Sequence, residues 1–176
     1  MNTIQQTSKQ YFRSLQIIYF TMIAGQIMFA VITFFLIHSK SIDKGAQELK
    51  EIFVYIVPFF VIGSLVGGNV FFRKMMNTYR SSDDLIKKMT GYRSALIVRY
   101  ALLEGSTLFS IIVYLVTGYW LFLLIAGLMV LIFLILKPTI ERAVNELELN
   151  ANERLKIENP NAVIAEIQTR QYIYYG

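Results

Sequence analysis

The sequence predicts an all-α, polytopic membrane protein in which four transmembrane helices form an antiparallel bundle. Four long apolar runs occur along the 176 residues, and 55% of the chain is hydrophobic. Only 16% of the residues are charged, against about 25% in an ordinary soluble domain. Sixteen of the seventeen basic residues lie outside the four apolar runs, and Arg99 alone lies within one. This composition is typical of a chain whose helices cross a bilayer.

The four apolar runs are each long enough to cross a hydrocarbon core about 30 Å thick. They comprise residues 17–38, 52–72, 95–116 and 119–136. The first is too long for the apolar part of a signal peptide, so an uncleaved first span is expected. The chain is therefore divided into a transmembrane domain, residues 1–137, and a helical tail, residues 138–176.

Two segments outside the spans are predicted to be amphipathic or charge-matched helices. Residues 81–91 carry acids at their start and lysines before Gly91, the order that suits the helix dipole, so a short helix ending at Gly91 is expected. At the N-terminus, four apolar residues fit one face of a helix lying at the membrane interface. These are Ile4, Tyr11, Phe12 and Leu15.

The tail is also predicted to be helical. Ile140, Val144 and Leu147 form an apolar stripe at helical spacing, and Asn159 marks a break. A further short helix is expected over residues 162–171. The last residues, 172–176, are rich in tyrosine, and the tail is a candidate surface for a protein partner.

The distribution of Lys and Arg predicts the orientation. Thirteen basic residues lie in the N-terminal arm, in residues 73–93 and after Leu136, whereas three lie in residues 39–51. Cytoplasmic segments carry the excess of positive charge, so both termini are expected in the cytoplasm. The expected location is a bacterial inner membrane.

Glu104 is the residue that most needs explaining. It lies about ten residues beyond Ser94, which corresponds to about 15 Å along a helix and places it near the middle of the membrane. A carboxylate at that depth is costly to expose to lipid, so it is neutral, paired or facing a polar cavity. It is the main candidate for an ion-binding residue. The structural alternative is a protonated carboxyl that donates a hydrogen bond between helices.

Three other intramembrane polar residues are candidates for the same site. Gln26 lies at a depth similar to that of Glu104, and a hydrogen bond between them is expected if their helices touch; otherwise Gln26 is a packing amide. Arg99 is five residues before Glu104, about 140° around the helix, so the two do not share a face. Arg99 is expected to reach the headgroups or Asn69.

Glycines in the second span predict close packing of helices. Gly63 and Gly67 form a G-x-x-x-G motif, and Gly68 adds a third small residue. Such motifs let another helix backbone approach closely, and tight helix packing is the expected role. A homo-oligomer is a separate possible partner.

Several functions are disfavoured by the residues present. There is no cysteine, and the single histidine, His38, lies at the outer end of the first span. No cluster of His and carboxylate residues has metal-ligand spacing, so neither an enzyme, a metal site nor a cofactor is expected. The net charge of +5 is explained by membrane orientation, so no nucleic acid is expected as partner.

Two stretches carry a resemblance to known families. YALLEGSTLFSIIVYLVTG, with the later LKPTIERAVNELEL, resembles a broad group of small uncharacterised four-helix bacterial membrane proteins, which implies the same fold and brings no activity. ALLEGSTLFSIIVYLV is similar to the carboxylate helix of rotary-ATPase proteolipids, which implies that Glu104 carries an ion. The second resemblance covers one helix, and the long alternating glycine run of the proteolipid partner helix is absent.

Two functional hypotheses follow. The first is an integral membrane interaction or accessory protein, bound to the lipid bilayer and acting through its helices and tail. The second is an oligomeric proton or cation conductor, or transport subunit, in which Glu104 binds the ion.

Overall fold

The computed structural model describes residues 2–39 and 47–169, and within them six helices and two strands are formed. In chain order these are β1 (Asn2–Thr7), α1 (Ser8–His38), α2 (Gln47–Arg80), α3 (Leu85–Thr117), α4 (Trp120–Ile135), α5 (Ile140–Leu147), α6 (Ala151–Glu158) and β2 (Val163–Thr169). The prediction of a helical protein is confirmed. The two strands were not predicted.

Three helices, α1, α2 and α3, are long and apolar enough to cross a membrane. The count rises to four if α4 and α5 are taken together as one bent span. Large apolar side chains cover the outside of these helices, and Phe59 is 81% exposed. Apolar surface this extensive is compatible with an integral membrane protein, because lipid rather than water can cover it.

The separate short helix predicted over residues 81–91 is not formed. Helix α2 continues to Arg80, and after a turn α3 begins at Leu85, where the Asp84 carboxylate accepts a hydrogen bond from the Ile86 amide at 2.9 Å. Gly91 therefore lies inside α3, not at a helix end. A Cβ at this position would lie 2.3 Å from ring carbons of Tyr79, so the glycine permits close packing of α2 against α3.

The helix predicted over residues 162–171 is also wrong, because Val163–Thr169 is strand β2. It pairs antiparallel with β1, placing Ile4 opposite Ile167, with a register irregularity between Gln6 and Thr7. A short apolar run does not distinguish strand from helix, and its partner strand lies at the far end of the chain. Pairing with β1, at the other end of the chain, makes residues 163–169 a strand instead of a helix.

The predicted interfacial helix at the N-terminus is replaced by β1 and the start of α1. Ile4 belongs to the strand, whereas Tyr11, Phe12 and Leu15 belong to α1 and are buried. The three residues do share a helical face, as expected. That face packs inside the protein, so it is not available to the membrane interface.

The chain divides into two compact units. Unit 1 contains Met1–Ile17, Arg73–Leu96 and Pro138–Gly176, and unit 2 contains Ile18–Phe72 and Ile97–Lys137. One border coincides with the predicted boundary at residue 137. The remaining borders divide the three long helices, so segments from three parts of the sequence form unit 1.

Polar contacts join the segments of unit 1. Lys88 of α3 forms an ion pair with Glu153 of α6 at 2.8 Å, and both side chains are largely buried. The Arg93 guanidinium donates to Gln6 and Ser14 and stacks 4.6 Å from the centre of the Tyr11 ring. Buried apolar residues of unit 1 come from all three of its segments. They include Tyr11, Leu15, Met89, Tyr92, Leu147 and Ile164.

Candidate functional site

Glu104 lies in α3, within unit 2, and its side chain is half-buried. It forms no hydrogen bond or ion pair with any residue in the described ranges 2–39 and 47–169. An unpartnered carboxyl group in an apolar helix is costly in lipid. Glu104 therefore remains a candidate for binding a ligand or a partner.

The hydrogen bond expected between Gln26 and Glu104 is not formed. Gln26 is fully buried, and among the described residues neither its amide nitrogen nor its amide oxygen has a hydrogen-bond partner. Gln26 belongs to the buried core, whereas Glu104 is only partly buried. Equal depth was predicted from helix length, but the bond also requires both side chains to share an interface.

The contact expected between Arg99 and Asn69 is present. The Nη2 group of Arg99 donates to the Asn69 side-chain oxygen at 2.6 Å, and the guanidinium lies 4.9 Å from the centre of the Phe72 ring. A Cβ on Gly68 would lie 3.8 Å from the Arg99 side chain. Residues of α2 thus hold Arg99 and direct it away from Glu104, as their separation around the helix predicted.

The three glycines of α2 have different surroundings. Gly68 is buried against α3, near Arg99 and Leu102. Gly63 and Gly67 are exposed, and a Cβ at either would meet nothing within 4 Å. The G-x-x-x-G pair is therefore on the outside of this chain.

Two tyrosines that sequence reasoning missed hold the end of α4. The Tyr19 hydroxyl donates to the carbonyls of Phe133 and Leu134 at 3.1 and 2.9 Å, and the Tyr100 hydroxyl donates to the carbonyl of Leu136 at 2.7 Å. The last carbonyls of a helix lack partners within the helix. The available signal was a tyrosine inside an apolar run, because a buried phenol needs a hydrogen-bond partner.

Unit 2 has further buried polar groups. The Ser64 hydroxyl of α2 donates to the Ser106 hydroxyl of α3 at 2.8 Å. Thr107 and Ser110 donate to carbonyls of α3. The buried Thr33 hydroxyl of α1 has no partner within the part of the chain that the structure describes. Serine and threonine in membrane helices commonly bond their own backbone in this way. Of these hydrogen bonds, only the one between Ser64 and Ser106 joins two helices.

Unit 1 has a polar pocket of about 330 Å³. Its lining includes Asp83, Asp84, Asn150, Glu153 and Lys156. The carboxylate of Glu153 is already paired with Lys88. Among the described residues, no group of three or more His, Cys, Asp or Glu side chains is placed to hold a metal ion.

Comparison of the chain with protein-family models, curated proteins and solved structures finds no match.

Proposed function

We propose that the chain is an integral membrane protein that acts by assembling with other transmembrane helices, in a homo-oligomer or as an accessory subunit. The observation that carries this proposal is the outward-facing pair Gly63 and Gly67 on α2. Of the three long helices, α2 is also the least buried within the chain. Small residues on an exposed apolar helix allow a second helix backbone to approach closely.

The test is the mass of the particle extracted in a mild detergent. Gly63→Leu and Gly67→Leu are expected to release the partner, because leucine fills the space that a neighbouring backbone would occupy. Gly127→Leu is the matched control, since Gly127 on α4 is also exposed with nothing within 4 Å of an added Cβ. An unchanged particle mass in the α2 variants would contradict assembly through this face.

We further propose four spans with both termini in the cytoplasm. Two observations support this topology. The positive-inside count assigns the N-terminal arm, residues 73–93 and the tail to one side. The same three regions pack together in unit 1, and segments that pack in one compact unit lie on one side of a membrane. A bacterial inner membrane remains the proposed location.

A protein partner is proposed for residues 138–176. The aromatic end of this tail, residues 172–176, lies outside the described residues. Truncation after Thr169 is the appropriate test, because it preserves β2 whereas an earlier cut would remove this strand. Loss of a co-purified protein from the truncated chain would support the tail as the contact with the partner. Unchanged co-purification would show that residues 170–176 are not needed for that contact.

The second candidate function is an oligomeric proton or cation conductor. The observation that favours it is the unpartnered carboxyl group of Glu104 on an apolar helix. Under this proposal, Glu104→Gln abolishes ion flux in liposomes. A hydrogen bond between Gln26 and Glu104 is not required. A variant Glu104→Gln with full flux and normal assembly would exclude conduction through this residue.

A further inference from the structure

The guanidinium group of Arg93 is held in one position inside unit 1. Its Nη2 group donates to the side-chain oxygen of Gln6 at 2.8 Å and to the hydroxyl of Ser14 at 2.6 Å. The guanidinium carbon lies 4.6 Å from the centre of the Tyr11 ring, and the Tyr11 hydroxyl donates to the Met89 carbonyl at 2.6 Å. Segments β1, α1 and α3 together therefore fix the orientation of this cation.

The positive charge of Arg93 is not balanced by these contacts. Both hydrogen-bond acceptors are neutral, and no carboxylate in the described ranges 2–39 and 47–169 forms an ion pair with Arg93. Residues 1–42 contain no Asp or Glu. Glu166 of β2 lies opposite Gln5, and successive side chains of a strand point to opposite faces, so this acid is on the other face of the strand pair from Gln6. A half-buried cation without a counter-charge favours an anion from outside the chain.

One end of the guanidinium is open to such an anion. The Nε group is enclosed by protein and has no acceptor among the described residues. The Nη1 group has no acceptor among them either, but it is not enclosed. Since Nη2 is occupied by protein oxygens, Nη1 is the donor that a ligand can reach. A guanidinium that its neighbours already orient is well suited to a phosphate oxygen, because charge-assisted hydrogen bonds of this kind are strong.

The position of Arg93 along α3 corresponds to the level of lipid headgroups. Arg93 is two residues before the third apolar run, residues 95–116, which is about 3 Å along the helix. Each headgroup layer is about 5–8 Å thick, because a bilayer is that much thicker on each side than its hydrocarbon core. Lys9 and Arg13 of α1 are exposed, and Arg13 precedes the first apolar run by about 6 Å. Basic residues at this level make the surface around Arg93 attractive to anionic lipid.

We propose that Arg93 binds the phosphate group of an anionic phospholipid, in the leaflet next to the N-terminal arm. Nη1 donates to a phosphate oxygen, and the acyl chains lie beside the apolar runs. A zwitterionic lipid offers the same phosphate but adds a cation, which the positive charges of Lys9 and Arg13 repel. A soluble phosphate offers the same oxygens, but it gains nothing from the level of Arg93 beside the hydrocarbon. The site rests on the proposed crossing of the membrane and is independent of assembly through α2 and of Glu104.

The experiment is native mass spectrometry of the purified full chain in a mild detergent, after addition of equal amounts of dioleoylphosphatidylglycerol and dioleoylphosphatidylcholine. Preferential retention of one phosphatidylglycerol per chain is expected. Arg93→Gln is expected to reduce this preference by about tenfold, because it removes a charge-assisted hydrogen bond. The control is Lys156→Gln, which removes an exposed positive charge from α6, outside the apolar runs, and is expected to retain the lipid as the unmodified chain does.

Arg93→Lys separates lipid binding from a purely structural role. It keeps the positive charge but cannot reproduce the planar fork that contacts Gln6 and Ser14, so a weaker preference for phosphatidylglycerol is expected to remain. Loss of that preference as complete as in Arg93→Gln would overturn the proposal and assign Arg93 to holding β1 against α1.

Two further results would also overturn the proposal. The first is equal retention of phosphatidylglycerol by Arg93→Gln and the unmodified chain, and the second is equal retention of the two lipids by the unmodified chain. Excess inorganic phosphate is expected not to release the bound phosphatidylglycerol. Its release by inorganic phosphate would contradict a lipid site and assign Arg93 to a soluble phosphate. Gly63→Leu is expected to retain the lipid whatever its effect on particle mass, so this result is separate from the test of assembly.

Discussion

Lys88 and Glu153 are charged residues that unit 1 removes from solvent, with side-chain exposures of 8% and 11%. Glu153 has a second role, because its other carboxylate oxygen accepts from the Asn150 amide in the capping box of α6. One carboxylate thus caps α6 and joins it to α3. Burial of a charge is tolerated here because each oxygen of the carboxylate has a donor.

Lys88→Met is expected to destabilise the protein by about 3 kcal/mol, because it leaves the buried Glu153 carboxylate without its cation. Thermal unfolding in detergent measures this as a lower midpoint. The control is Arg154→Met, which removes the solvent-exposed pair of Arg154 with Glu158 and is expected to have little effect. Equal shifts in the two variants would show that the buried pair contributes no more than a surface pair.

Gly91→Ala is expected to destabilise unit 1 by about 1–3 kcal/mol, since the new methyl group would overlap the Tyr79 ring and push α2 away from α3. Gly25→Ala provides the control, because a Cβ on Gly25 meets nothing within 4 Å. Thermal unfolding of the two variants gives the comparison. A Gly91→Ala protein as stable as the unmodified chain would mean that the Tyr79 ring moves aside without cost.

At the scale of elements, α4 depends on its neighbours. It has 16 residues, fewer than the roughly 20 that a straight span requires. Its buried face carries Phe122, Ala126, Met129 and Phe133, spaced to form one stripe along the helix. The hydroxyls of Tyr19 and Tyr100 donate hydrogen bonds to carbonyls at the C-terminal end of α4, which water would otherwise have to satisfy. The end of α4 is therefore fixed by α1 and α3.

Tyr19→Phe and Tyr100→Phe are each expected to lower stability by about 1 kcal/mol, because the carbonyls at the end of α4 lose a donor while the rings remain packed. The double variant is expected to lose more than either single variant. Tyr55→Phe is the control, since Tyr55 is 79% exposed. If all three single variants unfold at the same temperature, these hydrogen bonds do not stabilise α4.

At the scale of the whole molecule, the proposed topology can be tested directly because the chain has no cysteine. Single cysteines are introduced at three exposed positions as Lys9→Cys, Ser39→Cys and Ser81→Cys. A membrane-impermeant thiol reagent applied outside intact cells is expected to label only Ser39→Cys. The variants at residues 9 and 81 are expected to react after the membrane is opened. Labelling of Lys9→Cys in intact cells would show that the N-terminus lies outside and would contradict the proposed orientation.

Sequence reasoning correctly predicted the helical class and the apolar stretches long enough to cross a membrane. Both depend on local properties, the hydropathy and length of a continuous segment. The separation of Arg99 from Glu104 was also predictable, since side-chain direction along one helix follows from 100° per residue. Asn69 was one of two alternatives for Arg99, the other being the lipid headgroups, and the structure has the contact with Asn69. Gly68 packs against α3 as the small-residue motif suggested, although Gly63 and Gly67 do not pack within the chain.

The features that join distant segments could not be predicted from local patterns. The strand pair β1 and β2, the tyrosines that cap α4 and the continuation of α3 through Gly91 each depend on a partner elsewhere in the chain. The same reason separates Gln26 from Glu104, because depth in a helix is local whereas the face turned toward a neighbour is set by packing.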